Sequence, residues 1–139
     1  MTAHRFALRV YYEDTDLAGI VYYANYLKFI ERARTEALLE AGIDQVALER
    51  DEGSVFAVRA LSVEFVAPAR FQDVLTVLTT AEAVAGARAR LIQEVRRDDA
   101  LLVSAAVDVV CIGRDGRPRR LPDAVRAALG GMVPAPRDP

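Results

Sequence analysis

One stretch of helical period stands alone in a chain whose other long apolar runs alternate. Tyr23, Tyr26, Leu27, Ile30, Ala33, Ala37, Leu38 and Ala41 recur at spacings of three and four, while Lys28, Glu31, Arg32, Thr35, Glu36 and Glu40 take the opposite face. Side chains at that spacing share one side of an α-helix. Gly42 supplies a left-handed stop. The spacing therefore predicts one long helix from about Tyr23, with a single buried stripe. Glu31 lies one turn before Arg34 and can pair with it for roughly a few tenths of a kcal/mol.

Elsewhere the period is two. RFALRVYY sets Phe6, Leu8 and Val10 against Arg5 and Arg9. SVFAVRALSVEFVA, FQDVLTVLTTAEAV, ARARLIQEVRR and ALLVSAAVDVVCI alternate or are rich in β-branched residues, so each predicts a strand. Gly86 and the pair Asp98–Asp99 leave only short turns between the later strands, which makes neighbours antiparallel. LPDAVRAALGG predicts a short helix, with Pro122 at its start and glycine at its end. The order is strand, helix, then four strands. One apolar-faced helix and one sheet must bury each other. The expected fold class is α+β, one long central helix wrapped by a five-stranded antiparallel sheet. A length of 139 residues suits a single domain over 1–139. About 5–129 is expected to be ordered, and 130–139 to be a flexible tail.

Composition narrows the function. With 53% apolar and 27% charged residues the chain is globular rather than disordered. A net charge of -2 argues against nucleic acid and anionic membrane as partners. Cys111 is the only cysteine and sits in the apolar run VDVVCI, which predicts a buried thiol and neither disulfide nor metal cluster. His4, the only histidine, falls in an N-terminus expected to fray, so neither a histidine base nor a multi-histidine metal centre is expected. The N-terminus lacks a basic-then-apolar leader. The longest apolar stretch, Ala100 to Ile112, is interrupted by Ser104 and Asp108 and is too short to span a bilayer. A cytoplasmic protein that does not cross the membrane is expected.

Between the first strand and the helix lies EDTDLAG, residues 13–19. Two chemistries compete for its aspartates. Asp14 and Asp16 suit an Asx turn or a helix cap. Alternatively, Asp16 faces the helix N-terminus, whose unpaired N–H groups and partial positive charge suit a polarised carbonyl or an oxyanion. A carboxylate there can activate water or attack directly. The natural chemistry is acyl transfer to water, with a thioester as the easiest substrate, and it needs no metal. A calcium loop starting at Asp14 fails, because Ala18 and Asn25 stand where ligand oxygens are needed.

DTDLAGIVYYANYLKFIERAR, residues 14–34, resembles the hotdog-fold acyl-CoA thioesterases of the 4-hydroxybenzoyl-CoA thioesterase type. Within them it is most similar to the Tol–Pal-associated branch. VEFVAPARF (Val63–Phe71), VDVVCI and RPRRLP extend the resemblance, which runs from about Arg5 to Leu129. The resemblance implies hydrolysis of acyl-CoA, with Asp16 as general base or nucleophile. It implies that the backbone N–H of Tyr23 polarises the thioester carbonyl. The Tol–Pal branch carries histidine at that position, so Tyr23 removes any imidazole acid–base help and keeps only the backbone donor. Gly19 lets the backbone turn tightly between the acid and the helix. The resemblance further implies a homodimer or homotetramer, with sheets paired edge to edge and active sites at subunit interfaces.

The substrate is then acyl-CoA or an acyl-carrier-protein thioester, and CoA enters as part of the substrate, not as a cofactor. Tyr22 is placed to line the acyl slot, and Asn25 to anchor the helix start and the Asp16 loop. Arg88 and Arg90 share one strand face, where they either meet CoA phosphates or are simply solvated. Glu64 reads as a rim residue, and Arg114, Arg117, Arg119 and Arg120 as a solvated basic loop. The competing function is a module that binds an acyl thioester or a cell-envelope partner without turnover.

Overall fold

The computed structural model describes residues 3–134. β1 (His4–Arg9) is followed by a 3-10 turn at Tyr12–Asp14 and by α1 (Asn25–Glu40) and α2 (Gln45–Glu52). Then come β2 (Val55–Phe65), β3 (Val74–Ala85), β4 (Arg88–Arg97), β5 (Ala100–Ile112) and α3 (Asp123–Gly130). The five strands form one sheet in the order β1-β3-β4-β5-β2. Every neighbouring pair is antiparallel. The turns at Gly86 and at Asp98–Asp99 join β3 to β4 and β4 to β5, and Gly86 takes the positive φ of 59° that glycine tolerates. Register shifts at Val58/Ala60, Ala81/Ala83 and Val95/Arg96 add bends to the twisted sheet.

The helical stripe behaves as its spacing dictates. Tyr26, Phe29, Ile30, Ala33 and Ala37 of α1 are buried against β1, β3 and β4. Leu75 and Val77 of β3 and Val95 of β4 are fully buried in the same core. Removing Phe29 and Ile30 from water contributes about 2 to 3 kcal/mol each. Ala33 and Ala37 keep that face flat enough for close packing.

Among the described residues three α-helices stand where one long central helix and one short C-terminal helix were expected. α1 starts at Asn25, two residues later than its apolar period suggests, because residues 23 and 24 form a turn. α3 is the short C-terminal helix that Pro122 announces. α2 was not expected at all. Its apolar content is weak, and only its ends mark it. Asp44 accepts hydrogen bonds from the N–H groups of Val46 (2.9 Å) and Ala47 (3.3 Å), and Gly53 closes it at a left-handed φ of 68°. Arg114 donates to the carbonyls of Glu49 and Arg50, and Arg119 to that of Glu52. Part of the basic loop is thereby occupied in covering the negative end of α2.

Two further expectations need correction. His4 opens β1 and its Nε2 lies 2.7 Å from Glu40 Oε2, at the far end of α1. The ordered chain also runs past residue 129, since Met132 is buried and its carbonyl accepts from the N–H of Ala81. The rest of the expected tail, 135–139, lies outside the described residues.

A polar network crosses this apolar core. Gln93 is fully buried on β4. Its Nε2 donates to the Ile30 carbonyl (2.9 Å) and to Thr79 Oγ1 (3.0 Å), and its Oε1 accepts from Arg34 Nη1 (3.0 Å). Arg34 therefore turns inward to the sheet instead of pairing with Glu31. Gln93→Leu would leave the buried Thr79 hydroxyl and the Ile30 carbonyl without their Gln93 partner in a low-dielectric core and would take an acceptor from half-buried Arg34. We expect it to lower unfolding free energy by about 3 kcal/mol, read as a lower urea midpoint at unchanged m-value.

Candidate active site

The loop between β1 and α1 is built by its own polar side chains. Asp14 Oδ2 accepts from the Tyr11 N–H (2.8 Å) and closes the 3-10 turn. The carbonyl of Asp14 accepts from the Tyr22 N–H (2.9 Å) and from Asn25 Nδ2 (2.9 Å). Asn25 thus ties the first turn of α1 back to the acidic loop. Thr15 and Val21 pair as an isolated antiparallel bridge, and Gly19 takes a φ of 78° at the tip of the turn between them. Asp16 Oδ1 accepts from the Ala18 N–H (2.9 Å). The Asx turn expected of these aspartates is therefore present. The second oxygen of Asp16 has no partner among the described residues.

A second segment holds the loop from below. Val21 donates to the Ala69 carbonyl (2.9 Å), and Ile20 bridges Arg70. Ala69 in turn donates to the buried hydroxyl of Tyr26 (3.0 Å), on the first turn of α1. Asp73 Oδ2 accepts from the Arg70 N–H (2.8 Å) and from Arg97 Nη1 (2.8 Å). Burial alone would push the Asp73 carboxyl up. The Arg70 N–H and the Arg97 guanidinium outweigh it and hold the group below the usual carboxylate range.

The mouth of α1 offers donors. Asn25, Tyr26 and Leu27 already donate to the carbonyls of Tyr22, Tyr23 and Ala24. The N–H groups of Tyr23 and Ala24 have no acceptor among the described residues. These are the unpaired amides that every helix N-terminus leaves. Aromatic side chains surround them. Tyr23 meets Phe65 edge-on at a centroid distance of 5.8 Å, and Tyr22 lies 5.0 Å from Tyr23. The Tyr22 phenol is pushed above its ordinary value, foremost by the Tyr23 phenol, then by slight burial and by the Asp16 charge. It is a protonated donor at neutral pH.

Asp16, Tyr22, Tyr23 and Asn25 are thus gathered at one end of the protomer. Arg88 and Arg90 are not with them. They start β4, beside the C-terminal end of β3, whereas the loop is anchored near its N-terminal end. β3 is 12 residues long, so about 35 Å of strand separates the two places. Arg90 is also engaged by Glu82 (2.6 Å) and Asp108 (3.1 Å) on the outer sheet face. Glu64 is exposed on β2, as a rim residue would be. Cys111 is buried, and burial foremost pushes its thiol up. Phe65 was missed as a site residue. Only its place at the end of an alternating strand hinted at it.

In the single protomer Asp16 is exposed. The described concave spaces lie elsewhere. One, of about 240 Å³, opens between the C-terminal half of α1, the sheet and α3. The acid and the amides of the helix mouth lie on an open edge of the protomer.

A helix laid on a five-stranded antiparallel sheet, with an acidic loop at the helix mouth, defines a thioesterase-like architecture. The chain belongs to the thioesterase-like superfamily, whose family model matches residues 10–129. It is 42% identical over 128 residues to the acyl-CoA thioester hydrolase YbgC of Escherichia coli, covering 91% of this chain and 95% of that one. It is 39% identical over 125 residues to the acyl-CoA thioesterase YbgC of Haemophilus influenzae, covering 89% and 92%. A probable thioesterase from Bartonella henselae superposes with a TM-score of 0.82 at 38% identity, over 86% of this chain and 99% of that structure. The resemblance read from the sequence is borne out. Among the described residues, no helix is long and apolar enough to cross a membrane.

The Asp73 clamp makes a pH-dependent prediction. A carboxyl held low in the folded state adds stability above its unfolded pKa of about 3.9 and loses it as pH falls through the folded value. The stability gap between wild type and Asp73→Asn should be constant above about pH 5 and should close below about pH 4. Parallel urea titrations at each pH measure it.

Proposed function

We propose that the chain hydrolyses acyl-CoA thioesters to free acid and CoA. The observation that carries this reading is the pair of free amides at Tyr23 and Ala24, placed beside a loop that presents a carboxylate with one unused oxygen. The thioester carbonyl accepts from the Tyr23 N–H, with Ala24 as a second donor. Asp16 takes a proton from water as the water oxygen bonds to the carbonyl carbon, or it attacks that carbon itself and forms, once the thiolate has left, a mixed anhydride that water then cleaves to the free acid. The oxyanion of the tetrahedral intermediate then sits on amides already pointing at it, where their fixed dipoles cost no reorganisation. Its collapse breaks the C–S bond and releases CoA thiolate, a good leaving group. No cofactor enters. The 42% and 39% identical relatives carry acyl-CoA hydrolase names, which supports the same reaction class here. An acyl chain on a carrier protein presents the same thioester.

A second copy completes the site. Of the two sheet edges, β1 is short and carries arginines, while β2 is long and leaves Val58, Leu61, Phe65 and Val66 exposed. A long apolar edge invites pairing. Two β2 strands paired antiparallel about a twofold axis make one continuous sheet and place each copy against the other's helix mouth.

One observation favours the non-catalytic reading: Asp16 is exposed and already caps a turn. Free-thiol release from an acyl-CoA panel separates the two, because a binding module releases none. Asp16→Asn should lower kcat at least about a hundredfold, a loss of roughly 3 kcal/mol of transition-state stabilisation, with the fold intact. A mutant with wild-type turnover removes Asp16 from the mechanism. Leu61→Asp, on an exposed position of the protomer, should yield a folded monomer by sedimentation and should abolish turnover. A fully active monomer would refute the two-copy site.

A further inference from the structure

The 240 Å³ cavity is lined by apolar groups that include Ala37, Leu38, Phe56, Val58, Leu91 and Leu129. Five polar side chains also line it: Glu31, Arg34, Thr35, Gln45 and Thr79. Arg34 is the unusual one. It is half-buried, and burial foremost pulls its guanidinium below its ordinary value, with Glu31 acting against that. No carboxylate among the described residues lies within salt-bridge distance of it, and one of its nitrogens is spent on Gln93. None of its nitrogens is both sealed from the surface and unbonded, so its remaining donors keep some exposure, and the residue is one of those lining the cavity. A half-buried cation with spare donors beside an apolar space calls for an acceptor.

Within one protomer this cavity and the Asp16 loop lie at opposite ends of β2, since Phe56 lines the cavity and Phe65 touches Tyr23. Antiparallel pairing of two β2 edges reverses one of them. A register centred between these two residues would set Phe56 of one copy opposite Phe65 of the other, and with it the cavity of one copy toward the Asp16 loop of the other.

Resting on the thioesterase reading above, we infer that this cavity receives the distal part of the acyl group, and that it selects an acyl group carrying a hydroxyl there, through Arg34 as donor and Glu31 as acceptor. A hydroxyl can accept from one and donate to the other. A carboxylate at the same place meets the charge of Glu31. A methyl leaves the Arg34 donors unpaired and forfeits the bond that would discriminate.

The test is thiol release by the dimer on matched acyl-CoA pairs, plain against ω-hydroxy, across a series of short to medium chain lengths. At the best-fitting length we expect the hydroxyacyl thioester to have kcat/KM about tenfold or more above its plain partner, mostly through KM. Arg34→Met should bring that ratio to near one. If the loss of the Gln93 contact unfolds it, Glu31→Ala, on an exposed position, should lower the ratio in a folded protein. An equal rate for both partners at every length overturns the inference while leaving the thioesterase reading intact. So does an unchanged ratio in Glu31→Ala together with any folded Arg34→Met. A carboxylate-tipped acyl-CoA that outruns the hydroxyl also overturns it. No turnover of any thioester sinks both.

Discussion

The burial of a single face of α1 under the sheet sets the position of everything that could react. Phe29, Ile30, Ala33 and Ala37 give the helix one way to lie on β1, β3 and β4. That pose fixes where its N-terminus emerges, at the end of the sheet where β2 finishes and β3 begins. The unpaired amides of Tyr23 and Ala24 are thus delivered by core packing and not by the loop. On the proposed reading the loop then needs only to bring Asp16 to them, and its anchoring contacts run to the same helix. Asn25 holds the Asp14 carbonyl, and Tyr26 holds Ala69, which holds Val21. Acid and amides are both referenced to the first turn of α1, so they move together if the helix shifts.

Much of this was legible in the sequence because it rests on period. A 3.6-residue repeat and runs of alternation specify which faces are buried, and short turns specify antiparallel neighbours. The burial along β4 follows the alternation residue by residue, with Ala89, Leu91, Gln93 and Val95 inward. What failed was governed by contacts that have no period. α2 is eight residues whose stability comes from caps and from arginines of a distant loop. His4 was read as frayed because nothing local holds it, and its partner, Glu40, is 36 residues away. Arg34 looked like a surface partner for Glu31 from its spacing. Only the fold shows that Gln93, on another strand, draws it inward.

The site divides the same way. Asp16 and Asn25 could be singled out because a turn, a carboxylate and a helix mouth lie within a dozen residues of each other. Arg88 and Arg90 could not be judged, since their proximity to the loop is a matter of which end of a long strand they occupy. Glu82 and Asp108 settle the surroundings of Arg90 from two further strands.

An exposed carboxylate is a poor base while water solvates it, and this bears on why a site on an open edge suits the proposed chemistry. One oxygen of Asp16 caps the Ala18 amide, and the residue is exposed. An acyl thioester and a second copy seated over the loop would strip that solvent away. Desolvation raises a carboxyl pKa, whereas the amides of the helix mouth lower it. On the proposed reading the thioester oxygen engages the Tyr23 amide and so removes part of that opposing pull. The carboxylate then faces a carbonyl held in place for attack. The exposure that favours a merely structural aspartate is, for an edge-paired enzyme, the resting condition of its base.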